Sequence, residues 1–253
     1  MVKLPVRIDL LGGWSDQLCW PHKAAVVNVA VGWDGKYPLE IKDGQVSSLV
    51  KGIGTGLGIS SIIQAGLALD RNPNADYVKE VLDWEEKEGT RGGWQDQIGA
   101  VEGGLKLLVS ENHKEIEIHR LNHSIVDYLV LFDTGIRRAA KSIGDQVRRL
   151  IGVRAFDKAL KGNVETALKV NEMSGREFAE SCLSGWDRLN DFVEMDVTVP
   201  VIGIGHKLCG AGGGGYGVYF VEPNERQQVV AKLNAMGVWA RTPQVLQGVC
   251  YEN

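Results

Sequence analysis

The stretch Gly52-Ile53-Gly54-Thr55-Gly56-Leu57-Gly58-Ile59-Ser60-Ser61 decides how this chain is read. Glycines at alternate positions, then two hydroxyls, run straight into an amphipathic segment with helical periodicity from about 58 to 70. At such a helix start the backbone N–H groups point outward, the dipole adds about half a positive charge, and a serine can bond phosphate or magnesium. The pattern is that of an anion cradle. It is not a Walker loop, because no G-K-[ST] occurs. A glycine-rich turn with serine as an ordinary N-cap is the plainer reading of the same residues.

Upstream lies Arg7-Ile8-Asp9-Leu10-Leu11-Gly12-Gly13-Trp14-Ser15-Asp16, at the end of a predicted strand. Two glycines there allow a sharp turn and close approach to a ligand, although a strand-ending turn with a solvated Asp16 also fits. Downstream, Lys207-Leu208-Cys209-Gly210-Ala211-Gly212-Gly213-Gly214-Gly215 contains G-x-G-x-x-G, but Tyr216 onward continues as a strand. A dinucleotide fingerprint needs a helix at that point, so the cluster reads as a loop packed against a ligand or another loop.

Two carboxylates stand out between these clusters. Asp96, in Gly92-Gly93-Trp94-Gln95-Asp96-Gln97, falls in the first turn of a predicted helix. The dipole would keep it ionised and able to accept a proton, though acidic residues are also ordinary at helix starts. Glu85 lies three, four and seven residues after Leu82, Val81 and Val78, on the apolar stripe of its helix. A buried carboxylate wants a partner, and a metal ion is one; the flanking Glu86 and Glu88 equally suit a solvated charge run. Most of the 7 tryptophans are expected in the core. Trp14 and Trp94 each follow Gly-Gly, and aromatic faces beside carboxylates suit a sugar. His119 and His123 have the spacing of a metal pair, but they fall in a strand pattern with no glutamate after the first.

Composition narrows the class. The 253 residues are enough for two small domains and bury roughly 70–75% of the unfolded surface without a staple. The net charge of −4 provides no basic field, so a nucleic-acid partner is not expected. The 4 cysteines have no C-x-x-C spacing, and neither a signal peptide nor a membrane-length apolar run is seen. A reduced, soluble, cytoplasmic protein is expected. Strands are predicted over 2–11, 24–33, 45–50, 104–110, 115–121, 128–133, 216–221, 238–242 and 244–250. Helices are predicted over 58–70, 76–87, from 94, and over 138–152, 156–170, 174–192 and 224–236. The division falls near residue 125, giving units 1–125 and 126–253 packed against each other.

Taken together and in this order, the motifs resemble the GHMP kinase superfamily, from about residue 4 to about 221. GTGLGISS resembles its phosphate-binding motif, KLCGAGGGG its third motif, and RIDLLGGWSD the first motif of the sugar-kinase branch. GGWQDQ is most similar to the L-fucokinase branch, with the D-glycero-D-manno-heptose kinases next, and Asp133–Ala140 resembles the fucokinase strand–helix junction. The resemblance implies an α/β (α+β) fold of two domains: an N-terminal α/β domain with the phosphate-binding loop and a ferredoxin-like C-terminal domain. It implies an ATP-dependent kinase acting on the anomeric hydroxyl of a fucose-like sugar, with ATP and Mg²⁺ and no nucleic-acid or membrane partner. Asp96 would be the catalytic base with Arg7 beside it. Ser60, with Ser61 beside it, and Glu85 would hold Mg²⁺. Gly54, Gly56 and Gly58 would cradle the phosphates, and Gly210, Gly212 and Gly213 would brace that loop. Asp16, with Gly13, Trp14 and Trp94, would meet the sugar. Gln17-Leu18-Cys19 follows Asp16 where the family usually has Thr-Pro-Pro, which leaves the sugar open. Ile53 stands where proline is usual, Cys209 replaces Ser or Thr, and the short span from Asp9 to Gly54 predicts a trimmed nucleotide-side hairpin. A heptose-phosphate kinase, a silent sugar/ATP sensor and a non-sugar member are the alternatives.

Overall fold

The computed structural model describes residues 1–50, 54–90, 92–137, 140–193 and 197–252. Gly52 and Ile53 of the glycine loop, and Arg138 and Ala139 of the junction after Asp133, lie outside the described residues.

The single strand expected over 2–11 is two strands, β1 (Val2–Leu4) and β2 (Val6–Leu11). Pro5 separates them, because it has no N–H for a ladder, and they enter different sheets. In one sheet β1 lies between β4 (Leu39–Lys42) and β13 (Cys250–Tyr251), with β5 (Gln45–Ser48) outside β4. In the other, β3 (Ala24–Gly32) pairs β2 along one edge and β6 (Leu105–Ser110) and β12 (Gln244–Val245) along the other. β7 (Glu117–Arg120) lies outside β6. All nine residues of β3, AAVVNVAVG, are buried, as a near-continuous apolar run requires. Helices α1 (Ile59–Arg71), α2 (Tyr77–Glu88) and α3 (Gln95–Glu102) follow, α1 packing on α2 and α3, and α3 on β2 and β3.

The second half runs β8 (Leu129–Asp133), α4 (Ala140–Leu150), α5 (Arg154–Ala167), α6 (Gly175–Asn190), β9 (Gly205–Leu208), β10 (Tyr216–Phe220), α7 (Arg226–Ala235) and β11 (Ala240–Arg241). Its sheet order is β11-β8-β10-β9, antiparallel throughout. A strand, helices, two strands, a helix and a strand in that order make the ferredoxin-like pattern. Sequence patterning missed β9, a four-residue strand between glycine-rich segments. The strand expected over 244–250 is β12 and β13, which return to pair with β3 and β1. Phe178, Leu131 and Phe220 share one buried cluster with Ile8, Val27 and Leu107, so the halves meet through a continuous core. Among the described residues no helix is long and apolar enough to cross a membrane.

Candidate functional site

A cleft of about 430 Å³ opens where β2, the glycine loop, α2 and α3 converge, with Arg148 and Gly144 of α4 on its far wall. A larger cavity of about 950 Å³ lies against α2 and shares Glu85, Gly92 and Arg148 with it. The smaller one brings Arg7, Asp16, Glu85 and Asp96 together with the glycine loop and the N-terminus of α1, and so is the candidate active site.

The glycine loop ends at Gly58, the N-cap of α1, in a left-handed conformation (φ 73°) with no side-chain cap. The first amides of α1 are therefore uncapped at a helix with no acidic residue in its first turn, which suits an anion. Gly54 and Gly56 share the left-handed conformation, with φ of 72° and 75°. The third glycine cluster packs on this loop: the Tyr216 N–H donates to the Thr55 carbonyl at 2.8 Å. Gly210 and Gly215 lie so close that a Cβ on either would fall 2.7 Å from the Gly56 carbonyl oxygen or 2.4 Å from that of Thr55. Gly212 and Gly213 shape the turn between them.

Arg7 joins this loop to Asp96. Its Nε and Nη2 reach Asp96 Oδ1 at 2.7 and 2.5 Å, while Nη1 donates to the Gly56 carbonyl at 2.7 Å. The guanidinium is buried, with the Asp96 side chain 24% exposed toward the cleft. Both contacts use Oδ1, and Oδ2 accepts no hydrogen bond among those described.

Asp16 is buried and held by one neighbour of Asp96. Gln95 donates from Nε2 to Asp16 Oδ1 at 2.9 Å and from its backbone N–H to Oδ2 at 3.3 Å. Glu85 is also buried: Ser61 Oγ donates to its Oε1 at 2.5 Å, and Oε2 has no partner among the described residues. Gly92 and Gly93 leave room for these acids, since a Cβ would lie 2.2 Å from Glu85 Oε2 or 2.0 Å from Asp16 Oδ2.

Burial, and then the Asp96 charge, push Asp16 up to about 7. Burial also pushes Glu85 up to about 7, against the Ser61 hydrogen bond. Each carboxyl binds its proton more tightly folded than unfolded, so its stabilising contribution is full at low pH and is lost as pH rises through 7. The ligand-free protein is therefore expected to melt several degrees lower at pH 7 than at pH 5, on the order of 2 kcal/mol per group. Calorimetric melting checks this; a melting point that is flat or rises over that interval contradicts it.

A divalent cation would relieve the same clustering. Among the described residues no group of three or more His, Cys, Asp or Glu could hold a metal by itself. Magnesium needs less, because it takes one or two carboxylates and completes its shell with phosphate and water. The orphaned Glu85 oxygen beside Ser61 fits it, with the exposed Ser60 hydroxyl at the same helix start.

The other expected sugar contacts divide. Trp14, with φ 74°, lines the cleft. Gly13 packs against Asp9, where a Cβ would stand 2.5 Å from Oδ2. Trp94 is fully buried with Ala24, Val26, Ile98 and Leu108, and its Nε1 donates to His113 Nδ1 at 3.3 Å. It caps α3 from inside the core and does not line the cleft. Gln17, of the stretch that follows Asp16, lines it too, as do Trp84 and Gln95, which were missed; only their proximity in sequence to Glu85 and Asp96 could have indicated them. His119 pairs with Glu117 and His123 bonds the Met173 carbonyl, so they form no metal pair.

No family model matches the chain. It is 30% identical over 213 residues to the L-fucokinase/L-fucose-1-P guanylyltransferase of Bacteroides fragilis, covering 70% of this chain and 22% of that protein. It is 26% identical over 208 residues to the D-glycero-alpha-D-manno-heptose 7-phosphate kinase of Campylobacter jejuni, covering 71% of this chain and 61% of the relative. The chain thus spans about a fifth of the first and three fifths of the second. A solved D-glycero-D-manno-heptose 1-phosphate kinase from Bacteroides thetaiotaomicron superposes with TM-score 0.66 at 17% identity, over 99% of both chains. A mevalonate kinase from Methanococcus jannaschii does so with TM-score 0.66 at 14% identity, over 97% of this chain and 98% of that one. The chain has the two-domain α/β fold of the GHMP kinases.

Proposed function

We propose that the cleft transfers the γ-phosphoryl group of ATP to the anomeric hydroxyl of a fucose-like sugar, with Asp96 as general base. One observation carries the reading: a single buried guanidinium, Arg7, holds both the Asp96 carboxylate and the Gly56 carbonyl of the phosphate loop. Acceptor activation and phosphate binding are thereby registered to one another, and phosphoryl transfer depends on such positioning together with charge neutralisation.

In this reading the triphosphate lies on the N-terminus of α1, where Gly54, Gly56 and Gly58 let the backbone approach it. Asp16, with Trp14 and Gln17, takes the sugar, with its carboxylate oriented by Gln95. The sugar hydroxyl gives its proton to Asp96 Oδ2 as its oxygen bonds the γ-phosphorus and the bond to the ADP oxygen breaks. Arg7 offsets charge on the transferring group. Ser60, Ser61 and Glu85 would hold Mg²⁺, which supplies charge neutralisation on the phosphates when bound. The sugar and nucleotide are the partners of this site, and it acts in the cytoplasm, where ATP is available.

The test is ADP release with Mg·ATP across L-fucose, D-galactose, D-arabinose and D-manno-heptose 7-phosphate. Turnover on L-fucose above the others supports the reading. Preference for the heptose phosphate moves the assignment to that substrate. Nucleotide binding by calorimetry with no turnover on any sugar replaces the enzyme with a sensor or a non-sugar kinase.

A further inference from the structure

A row of polar side chains crosses four strands beneath α3. Asp9 of β2 stands opposite Asn28 of β3, Asn28 opposite Lys106 of β6, and Lys106 opposite Arg120 of β7. Directly opposite residues in antiparallel strands share a face, so the four form one rung. Asn28 and Lys106 are both fully buried in strands that are otherwise mostly apolar. A buried ammonium is costly unless its donors are met. Burial brings the Lys106 amine down to about 7, and its protonated form has all three donors met: Nζ donates to the Gly99 carbonyl at 2.8 Å, and to Asn28 Oδ1 and the Gly104 carbonyl at 3.2 Å each.

These bonds bracket α3. Asn28 Nδ2 donates to the carbonyl of Gln95 in its first turn, at 3.4 Å. Lys106 takes Gly99 in its second turn, and Arg120 Nη1 donates to the Gly103 carbonyl at its C-terminus, at 2.7 Å. The helix has eight residues, no side-chain N-cap bond and no basic residue in its last turn. So short a helix is marginal alone, and cations at its C-terminal end complement its dipole. Gly99 presses on the rung, since a Cβ there would lie 3.0 Å from Asn28 Nδ2 and 3.2 Å from Arg7 Cβ.

We infer that Lys106 is a positioning residue for phosphoryl transfer, seating α3 through this rung and so setting where Asp96 meets the acceptor. The inference rests on Asp96 being the base, and its test has one arm that does not.

Lys106→Met keeps the length of the side chain and removes the donors. Expected are a fall in kcat of about 10-fold or more with the sugar KM within about threefold. Hydrogen exchange is expected to show the amides of α3 opening roughly 10-fold faster while those of β8 and β10 keep their rates. Unchanged exchange across α3, or loosening spread equally over β8 and β10, overturns the proposal. If the variant does not fold, Lys106→Gln is read in the same way. In the wild type, α3 amides exchanging as fast as those of a frayed helix end likewise overturn it. Absence of turnover in the wild type would be a failure of the functional reading, and the exchange arm separates it from a failure of the seat.

Discussion

Asp96→Asn is expected to lower kcat by about 10²–10⁴-fold while the protein still folds and binds sugar. Asparagine has the same shape, and its carbonyl oxygen can still accept from Arg7, so the bridge between β2, α3 and the phosphate loop should persist in reduced form. What disappears is the basic oxygen that receives the proton. The substitution also leaves the buried Arg7 without its nearest counter-charge, at a cost of about 1–3 kcal/mol, or a few degrees of melting temperature. Asp9 moderates that cost, because its charge also acts on Arg7. ADP release gives the rate, sugar calorimetry the affinity, and scanning calorimetry the stability. A variant within threefold of wild-type turnover would remove Asp96 from the mechanism.

The parts of this site that were legible in the sequence are those whose chemistry is local. Alternate glycines before a hydroxyl pair indicated the helix start at Gly58, and the stripe of Val78, Val81 and Leu82 correctly placed Glu85 on a buried face. Trp94 was misplaced because its neighbours in sequence, Gly93 and Asp96, face the cleft, whereas its own ring turns into the core between Val26 and Leu108. Helix geometry sends adjacent residues in different directions, and no pattern of residue types reveals which one turns inward. Gln95 escaped notice for a related reason: its role is fixed by Asp16, 79 positions away. The second half was legible as alternating elements, but β9 was too short for periodicity to register. The return of β12 and β13 to the first half is tertiary pairing that local patterning does not encode.

Gly56→Ala is expected to have the second large effect, because this glycine carries two constraints at once. Its φ of 75° is strained for any residue with a Cβ, at roughly 1–2 kcal/mol. The added methyl would also lie 2.3 Å from the Cys209 carbonyl oxygen, and backbone there cannot yield without moving the third glycine cluster. That displacement threatens the bond from the Tyr216 N–H to the Thr55 carbonyl and the one from Arg7 to Gly56 itself. The phosphate loop, its brace and the base are then no longer in register, and the nucleotide KM should rise by about 10-fold or more, with kcat falling alongside. Gly44→Ala calibrates the stability cost of strain alone, since Gly44, in the turn between β4 and β5, has φ 74° but nothing within 4 Å of its would-be Cβ. That control should lose only the stability attributable to strain and keep its nucleotide KM. If both variants melt alike and bind nucleotide alike, the contact with Cys209 has no functional weight. If Gly56→Ala alone loses nucleotide affinity, the constraint acts within the phosphate loop, where the left-handed backbone and the contact with the Cys209 carbonyl coincide.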